Sequence, residues 1–413
     1  MTPAARLQMA IDILEGLATT GQPTDRFLKA WFRGRRFAGS GDRRAIAERV
    51  FSVQRHRARL SHRMGSDMPR ALVIASLLEV GEYPEVLFTG GYGPAPLTDA
   101  ERQAISNPPP PAPAWVLGEY AQWLEPELTH AFGDDLPRTI AALIPRAPVD
   151  LRVNILKAER EQVIAALKTE GIDAAPTPYA PHGIRIAQEV PNLSKSALFQ
   201  SGSFEFQDEA AQIASVLCDA RPRMRVLDLA AGAGGKSLAL AATMRNQGEI
   251  VACDVRAEAL SELKTRAIRA AATIIRTLPL EQAQPEGGFD LVLVDAPCSG
   301  SGTWRRQPEL RWRLTPDRLA ELTQIQDRLL DRAAGLVTPG GRLVYATCSI
   351  LPVENQDRAQ AFLARWAGFS ALDLRESWPG TGMPLPPGLA ADFRASPRLT
   401  GTDGFYCAGF RRS

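Results

Sequence analysis

Two cysteines stand where an α/β protein does its chemistry. "DAPCSGSG" (Asp295 to Gly302) and "ATCS" (Ala346 to Ser349) each follow an unbroken apolar run, so Cys298 and Cys348 fall just beyond the ends of predicted strands. Ligands of open α/β sheets bind outside the carboxyl ends of the strands. Asp295, Cys298 and Cys348 are therefore expected to converge on one crevice. A third stretch leads to the same edge: "VLDLAAGAGGKSLALA" (Val226 to Ala241) reads as strand, glycine-rich turn and helix, with Lys236, one of only six lysines, in the turn.

That turn has two readings. A phosphate loop needs Gly, four residues, then Gly-Lys-Ser/Thr; Gly235-Lys236-Ser237 supplies the end, but the first glycine falls on Ala230. "LVLVDA", containing Asp295, could pass for the acidic strand that holds magnesium. A nucleoside site instead wants an acid about 20 residues on, for the ribose hydroxyls. Asp254 meets that spacing and Asp228 precedes the turn, while a GxGxxG match fails at Ser237. From the loop alone, an NTPase and a nucleoside-binding enzyme both stand.

A thiolate beside a carboxyl group and a nucleoside cofactor suits one demanding reaction. The C5 carbon of cytosine is a poor nucleophile until a cysteine adds to C6 and turns the ring into an enamine. A carboxyl group hydrogen-bonded to N3 stabilises the charge pushed there. A base must then remove the C5 proton so that the thiolate can leave, and a second cysteine is a candidate helper.

The runs "DLAAGAGGKS", "CDVRAEAL", "FDLVLVDAPCSGSG", "RRQPELRW", "GGRLVYATCSILPVENQ" and "DGFYCAGF" resemble, in order, the RsmB/NOP/Sun-type RNA cytosine-5 methyltransferases, closest to the bacterial small-subunit rRNA branch. "LRVN" (Leu151 to Asn154) and "FQDEAAQ" extend the likeness upstream, and residues 1–100 resemble a shortened NusB-like RNA-binding domain. The resemblance implies S-adenosylmethionine as methyl donor and RNA, with rRNA first, as partner. It implies Cys348 as nucleophile, Cys298 as helper in product release, and Asp295 facing both cofactor and cytosine. It implies Asp254 at the ribose, and the loop Ala230, Ala231, Gly232, Ala233, Gly234, Gly235 and Lys236 at the methionine part.

The chain departs from this pattern in places. Ala230 and Ala233 stand where the family usually has cysteine and proline, and alanine at 233 lacks proline's rigidity. The third strand, "TIIRTLPLEQ", lacks the acid expected near the adenine, with Arg276 or Thr277 about there. That gap keeps open a non-catalytic RNA-binding or ribosome assembly factor on the same fold.

The elements that must position these residues follow from hydrophobic periodicity. Residues 1–105 read as helices, with Leu7, Ile11, Leu14 and Leu17 at helical spacing, and "NPPPPAPAW" reads as a linker. Residues 112–220 read as a small α+β module: one helix over "VLGEYAQWLEPELTHAF", strands at "VDLRVNI", "GIRIAQ" and "GSFEFQD", and a helix closed by Gly171. Residues 221–413 alternate strand and helix, which predicts a doubly wound, Rossmann-like methyltransferase sheet, with Pro339-Gly340-Gly341 turning the chain into the last of its parallel strands.

Bulk properties narrow the classes. The formal net charge is only +2, yet Arg26 to Arg63 carries 12 Arg/Lys against Asp42 and Glu48, an electrostatic footprint of the kind nucleic acids attract. Five cysteines without a CxxC pair or nearby histidines argue against a metal site, and Cys218, Cys253 and Cys407 read as small buried hydrophobes. No apolar run approaches the roughly 18 residues of a membrane span. A cytoplasmic monomer is expected, with Trp31 and Trp304 as core residues before base-stacking ones.

Overall fold

The computed structural model describes residues 1–35, 37–187, 193–282, 288–378 and 382–413. Arg36 of the basic run and Gln188 at the end of "GIRIAQ" lie outside them. The chain forms two compact units, Met1–Pro145 with Trp304–Thr315, and Arg146–Thr303 with Pro316–Ser413.

The first unit is all helical. Pro3–Ala18 begins where Thr2 accepts from the Ala5 N–H, and its apolar stripe, Leu7, Ile11, Leu14 and Leu17, is buried with Ile46, Val50, Val53 and Leu72 from later helices. Later in this unit the helical stretch is broken at His56, into Ser40–Arg55 and Arg57–Met64. Glu119 supplies the reason. Its buried carboxylate accepts from the N–H groups of Ala58 (2.8 Å) and Arg59 (3.2 Å), capping the new helix start. To do so Glu119 takes φ +54°, which breaks the single helix expected over "VLGEYAQWLEPELTHAF" into Ala114–Leu117, a 3₁₀ turn and Glu125–Phe132. Residues 112–145, read from sequence with the α+β module, are thereby helical and held in the first unit.

The motif "RRQPELRW" also belongs here rather than with the sheet that precedes it in sequence. Arg311 is fully buried, donating to the carbonyls of Leu143 (2.5 Å) and Glu119 (3.2 Å), and Glu309 accepts from the Thr24 N–H at 3.0 Å. Trp304, fully buried under Arg311, is a core residue.

Much of the basic run is half-buried and bonded within the unit. Arg43 and Arg63 donate to carbonyls at helix ends, Arg49 to Ser76 and Glu82, and Arg59 to Glu119. Arg26, Lys29 and Arg33, at i, i+3 and i+7 of the helix Thr24–Arg33, are exposed opposite its buried Leu28 and Phe32.

The second unit holds two sheets. β1 (Val149–Val153), β2 (Ala174–Pro176), β3 (Gly183–Ile186) and β4 (Phe204–Phe206) pair antiparallel in the order β2-β3-β1-β4. The larger sheet contains β5 (Arg225–Asp228), β6 (Glu249–Asp254), β7 (Ile275–Pro279), β8 (Phe289–Asp295), β9 (Val337–Thr347), β10 (Phe369–Leu372), β11 (Phe393–Ala395) and β12 (Phe405–Arg412). Its order is β10-β12-β9-β8-β5-β6-β7, with β11 beside β12. The five strands from β7 to β9 are parallel, and β10 to β12 add an antiparallel edge. This is the doubly wound sheet the alternation predicted. Leu291 to Val294 of β8 are fully buried, which explains the unbroken apolar run. Pro339-Gly340-Gly341 does not precede the strand; β9 already pairs at Val337, and the ladder to β8 shifts register before resuming at Arg342.

Candidate active site

β5 lies between β6 and β8, where the strand order reverses direction, so the glycine turn after β5 opens into the crevice of the sheet. Gly232 (φ +55°) and Gly234 (φ +82°) both need the left-handed region, and a Cβ on Gly234 would stand 1.9 Å from Leu263 of the helix Ala257–Ala270. The Ala231 N–H donates to the Cys253 carbonyl, and the Gly232 N–H donates to Asp254 Oδ2, each at 2.8 Å. Asp254 also accepts from the Arg256 N–H (2.8 Å) and Nε (3.0 Å). Burial pushes its pKa up, but the Arg256 and Gly232 donors outweigh burial and hold it below the ordinary value. An ionised acid beside a turn of small residues has the chemistry a nucleoside cofactor would use, a carboxylate able to accept from hydroxyls and exposed backbone in residues 230–235.

Asp228 takes a different part from the one its position suggested. It is buried behind the turn, accepts from Ser237 Oγ at 2.6 Å, and its Oδ1 has no partner among the described residues. Burial first, with Asp295 adding, pushes its pKa up to about 7 despite the Ser237 bond. The unfolded carboxyl ionises above its ordinary value near 3.8, while the native one keeps its proton to about 7. Stability is therefore lost as pH rises through that window. Asp228→Asn lacks this loss, so from pH 5 to pH 7.5 it should gain on the wild type by about 2.5 kcal/mol. Denaturant melts of both proteins at the two pH values check this, and parallel pH profiles would overturn it.

The two cysteine motifs meet across β8 and β9. Asp295 pairs in register with Ala346, the Ala296 N–H donates to Ala346 O, and the Gly302 N–H to Cys348 O, both at 2.9 Å. These bonds bring Cys298 Sγ to 3.4 Å from Cys348 Sγ, both half-buried, whereas Cys218, Cys253 and Cys407 are buried as the sequence suggested. The Cys348 sulfur, then burial, then Glu354 push the Cys298 thiol well above the ordinary range.

Lys236 joins this corner. Its Nζ lies 2.6 Å from Asp295 Oδ2 and 4.9 Å from the centre of the Phe405 ring. Burial would lower its pKa, but Asp295 and Cys348 outweigh burial and raise it, so the ammonium stays charged. A lysine committed to a carboxylate is not aimed at the anions of a triphosphate, and the phosphate-loop reading loses its main support.

Sequence reasoning missed Glu354, although it lies in the quoted run "ILPVENQ". Fully buried, it accepts on Oε1 from the Ser299 N–H (2.8 Å) and Gln326 Nε2 (3.0 Å), and on Oε2 from Ser299 Oγ and Ser349 Oγ, both 2.5 Å. Ser299 and Ser349 each follow one of the two cysteines. One carboxylate thus ties both cysteine loops together. In the third strand Arg276 and Thr277 do not reach the strand end expected of them: they pair with Val251 and Ala252 in mid-strand, and Arg276 bonds Glu249 at 3.2 Å. Pro279 is the residue level with Asp254, and Glu281 follows in the turn Leu280–Gln282.

Among the described residues no group of three or more His, Cys, Asp or Glu is placed to hold a metal, and no helix is long and apolar enough to cross a membrane.

Residues 215–411 match the family model described as 16S rRNA methyltransferase RsmB/F, and residues 120–192 match a RsmF/B-like ferredoxin-like domain. Ribosomal RNA small subunit methyltransferase B of Pseudomonas syringae pv. tomato is 35% identical over 299 residues, covering 71% of this chain and 66% of that protein. The protein of the same name from Xylella fastidiosa strain 9a5c is 33% identical over 296 residues, 70% of this chain and 68% of that one. The chain thus spans about two thirds of the length of these relatives, and 66% of the first. Among solved structures, PH0851 superposes with TM-score 0.80 at 27% identity over 100% of this chain and 99% of that one. A methyltransferase homologue from Pyrococcus horikoshii gives 0.62 at 26% identity over 73% and 98%. With its paired cysteine loops inside the matched region and its sheet shared with these neighbours, the chain belongs to the RsmB/F family of 16S rRNA methyltransferases.

Proposed function

We propose that this protein transfers a methyl group from S-adenosylmethionine to C5 of a cytosine in rRNA through a covalent cysteine adduct. The observation that carries this reading is the 3.4 Å approach of two half-buried sulfurs at the strand edge that also holds the Lys236–Asp295 pair. The cofactor, when bound, supplies an electrophilic methyl group. Cys348 adds to C6 and makes C5 nucleophilic. Lys236 takes Asp295 Oδ2, and Oδ1, without a protein partner among the described residues, faces N3 of the bound base and shares with it a proton, which passes to N3 as Cys348 addition pushes charge there.

The sulfur pair sets the order of events. While Cys348 carries charge, it holds the neighbouring Cys298 protonated. Once Cys348 is bonded to carbon, the largest of these influences is gone, with burial and Glu354 remaining; Cys298 then gives its proton to solvent and can remove the C5 proton. Elimination of Cys348 restores the starting state. The target base must leave its stack to expose C5 and C6.

Incubation with S-adenosylmethionine and small-subunit rRNA, followed by bisulfite sequencing, tests the reading. One new 5-methylcytosine supports it, and methylation at another atom overturns it. The exposed basic face of the first unit is proposed to contact phosphates. Replacing Arg26, Lys29 and Arg33 together by Gln should lower the slope of log affinity against log salt by about 2, measured by filter binding; an unchanged slope removes this face from the interface.

A further inference from the structure

We propose that Arg152 and Arg266 are positioning residues of the methyl-donor loop, so that the four-stranded sheet forms part of the cofactor site. The proposal rests on the cofactor assignment above. Arg152, on β1, is 7% exposed, and its Nη1 donates to the Gly235 carbonyl at 2.5 Å and to Gln207 Oε1. Arg266, on the helix Ala257–Ala270, donates from Nη1 to the Ala233 carbonyl at 2.7 Å. Its Nη2 donates at 3.0 Å to Glu205 of β4, itself 3% exposed and paired also with Arg269. The small sheet thus acts on the loop twice, directly through Arg152 and through Glu205 on Arg266.

The loop has reason to need these grips. Ala233 lies between Gly232 and Gly234, both at positive φ, so three successive residues have little intrinsic rigidity. A guanidinium on a carbonyl makes a charge-assisted hydrogen bond, stronger than a neutral one and strengthened by exclusion of water. Because C=O and N–H of one peptide point in opposite directions, holding the Gly235 carbonyl also fixes the direction of the Lys236 N–H. Two carbonyls held two residues apart restrict the turn as a proline ring would, at the same place.

Calorimetry of the full chain with S-adenosylmethionine tests this. Arg266→Ala should bind about tenfold more weakly, with kcat at saturating cofactor within about twofold and the cofactor-free melting temperature lowered by less than about 5 °C, because Glu205 keeps Arg269 as partner. Arg266→Lys, which keeps one charged donor, should stay within about threefold of wild type. No bond from the Ala233 N–H is found among the described residues, so Ala233→Pro removes no donor and, added to Arg266→Ala, should recover most of the affinity by restricting the backbone instead. Wild-type affinity in Arg266→Ala overturns the proposal. So does a loss that Ala233→Pro leaves unrecovered, or one accompanied by a fall of more than about 5 °C in cofactor-free melting temperature, either of which assigns the arginine a general structural role. Absence of binding by the wild type would overturn the cofactor assignment instead.

Discussion

Cys348→Ala should abolish methylation, while Cys298→Ala should leave the protein covalently joined to its RNA. The two substitutions remove sulfurs only 3.4 Å apart, yet they act on different steps. Without Cys348 no adduct forms, C5 stays unreactive, and turnover should fall by at least about a thousandfold. Without Cys298 the addition and the methyl transfer proceed, because Cys348, Asp295 and Lys236 are untouched. Removal of the C5 proton then lacks its base, and release should slow by about 10² to 10⁴. Denaturing gels of each variant incubated with RNA and S-adenosylmethionine read this directly: a slow-migrating protein–RNA band with Cys298→Ala, and none with Cys348→Ala. A band with the roles reversed would exchange the two assignments, and wild-type activity in both variants would remove the covalent mechanism. The raised pKa of Cys298 adds a condition, since the Cys348 sulfur is the first cause that holds this thiol protonated and only that cause is removed when Cys348 is consumed, while burial and Glu354 persist.

Glu354→Ala should be the most damaging substitution of a residue that need not touch the substrate. The carboxylate receives four hydrogen bonds, three from the two serines that follow the cysteines and one from Gln326. Alanine leaves those buried donors without acceptor and opens space between the loops. Breaking such a buried charged network costs about 3 to 5 kcal/mol, or roughly 6 to 15 °C in the melting temperature of a unit this size. The sulfurs should drift apart as well, so activity should fall further than stability explains. Glu354→Gln keeps the shape: its oxygen can still accept from the Ser299 N–H and Gln326, and its amide can donate to serine hydroxyls turned to accept. It should therefore retain most of the stability. Calorimetric melting and a methylation assay on both variants check the pair, and equal melting of Glu354→Ala and wild type would show that the clamp carries no load.

The basic N-terminal run shows why charge read along a sequence overstates a surface. Its twelve cations are real, but Arg43, Arg49, Arg59 and Arg63 hold helix ends and a buried carboxylate. Only folding separates those from Arg26, Lys29 and Arg33, which remain exposed on one helix face. In the same way, "RRQPELRW" follows the first cysteine motif in sequence yet is part of the helical unit, because Arg311 and Glu309 find their partners there.

The sequence by itself determined the parallel sheet, the strand ends that carry Asp254, Asp295 and the cysteine motifs, and the glycine turn, because apolar runs and tight turns are written in neighbouring residues. Tertiary structure alone decided which polar groups meet. Lys236 reaches Asp295 across 59 positions, Glu354 reaches Ser299 across 55, and Arg152 reaches Gly235 across 83. It also decided that Asp228, so near the turn, is shut behind it with its pKa raised by burial. Hydrophobic periodicity constrains where a side chain points relative to its own element, whereas a hydrogen bond between distant residues depends on how whole elements pack, and no local pattern encodes that choice.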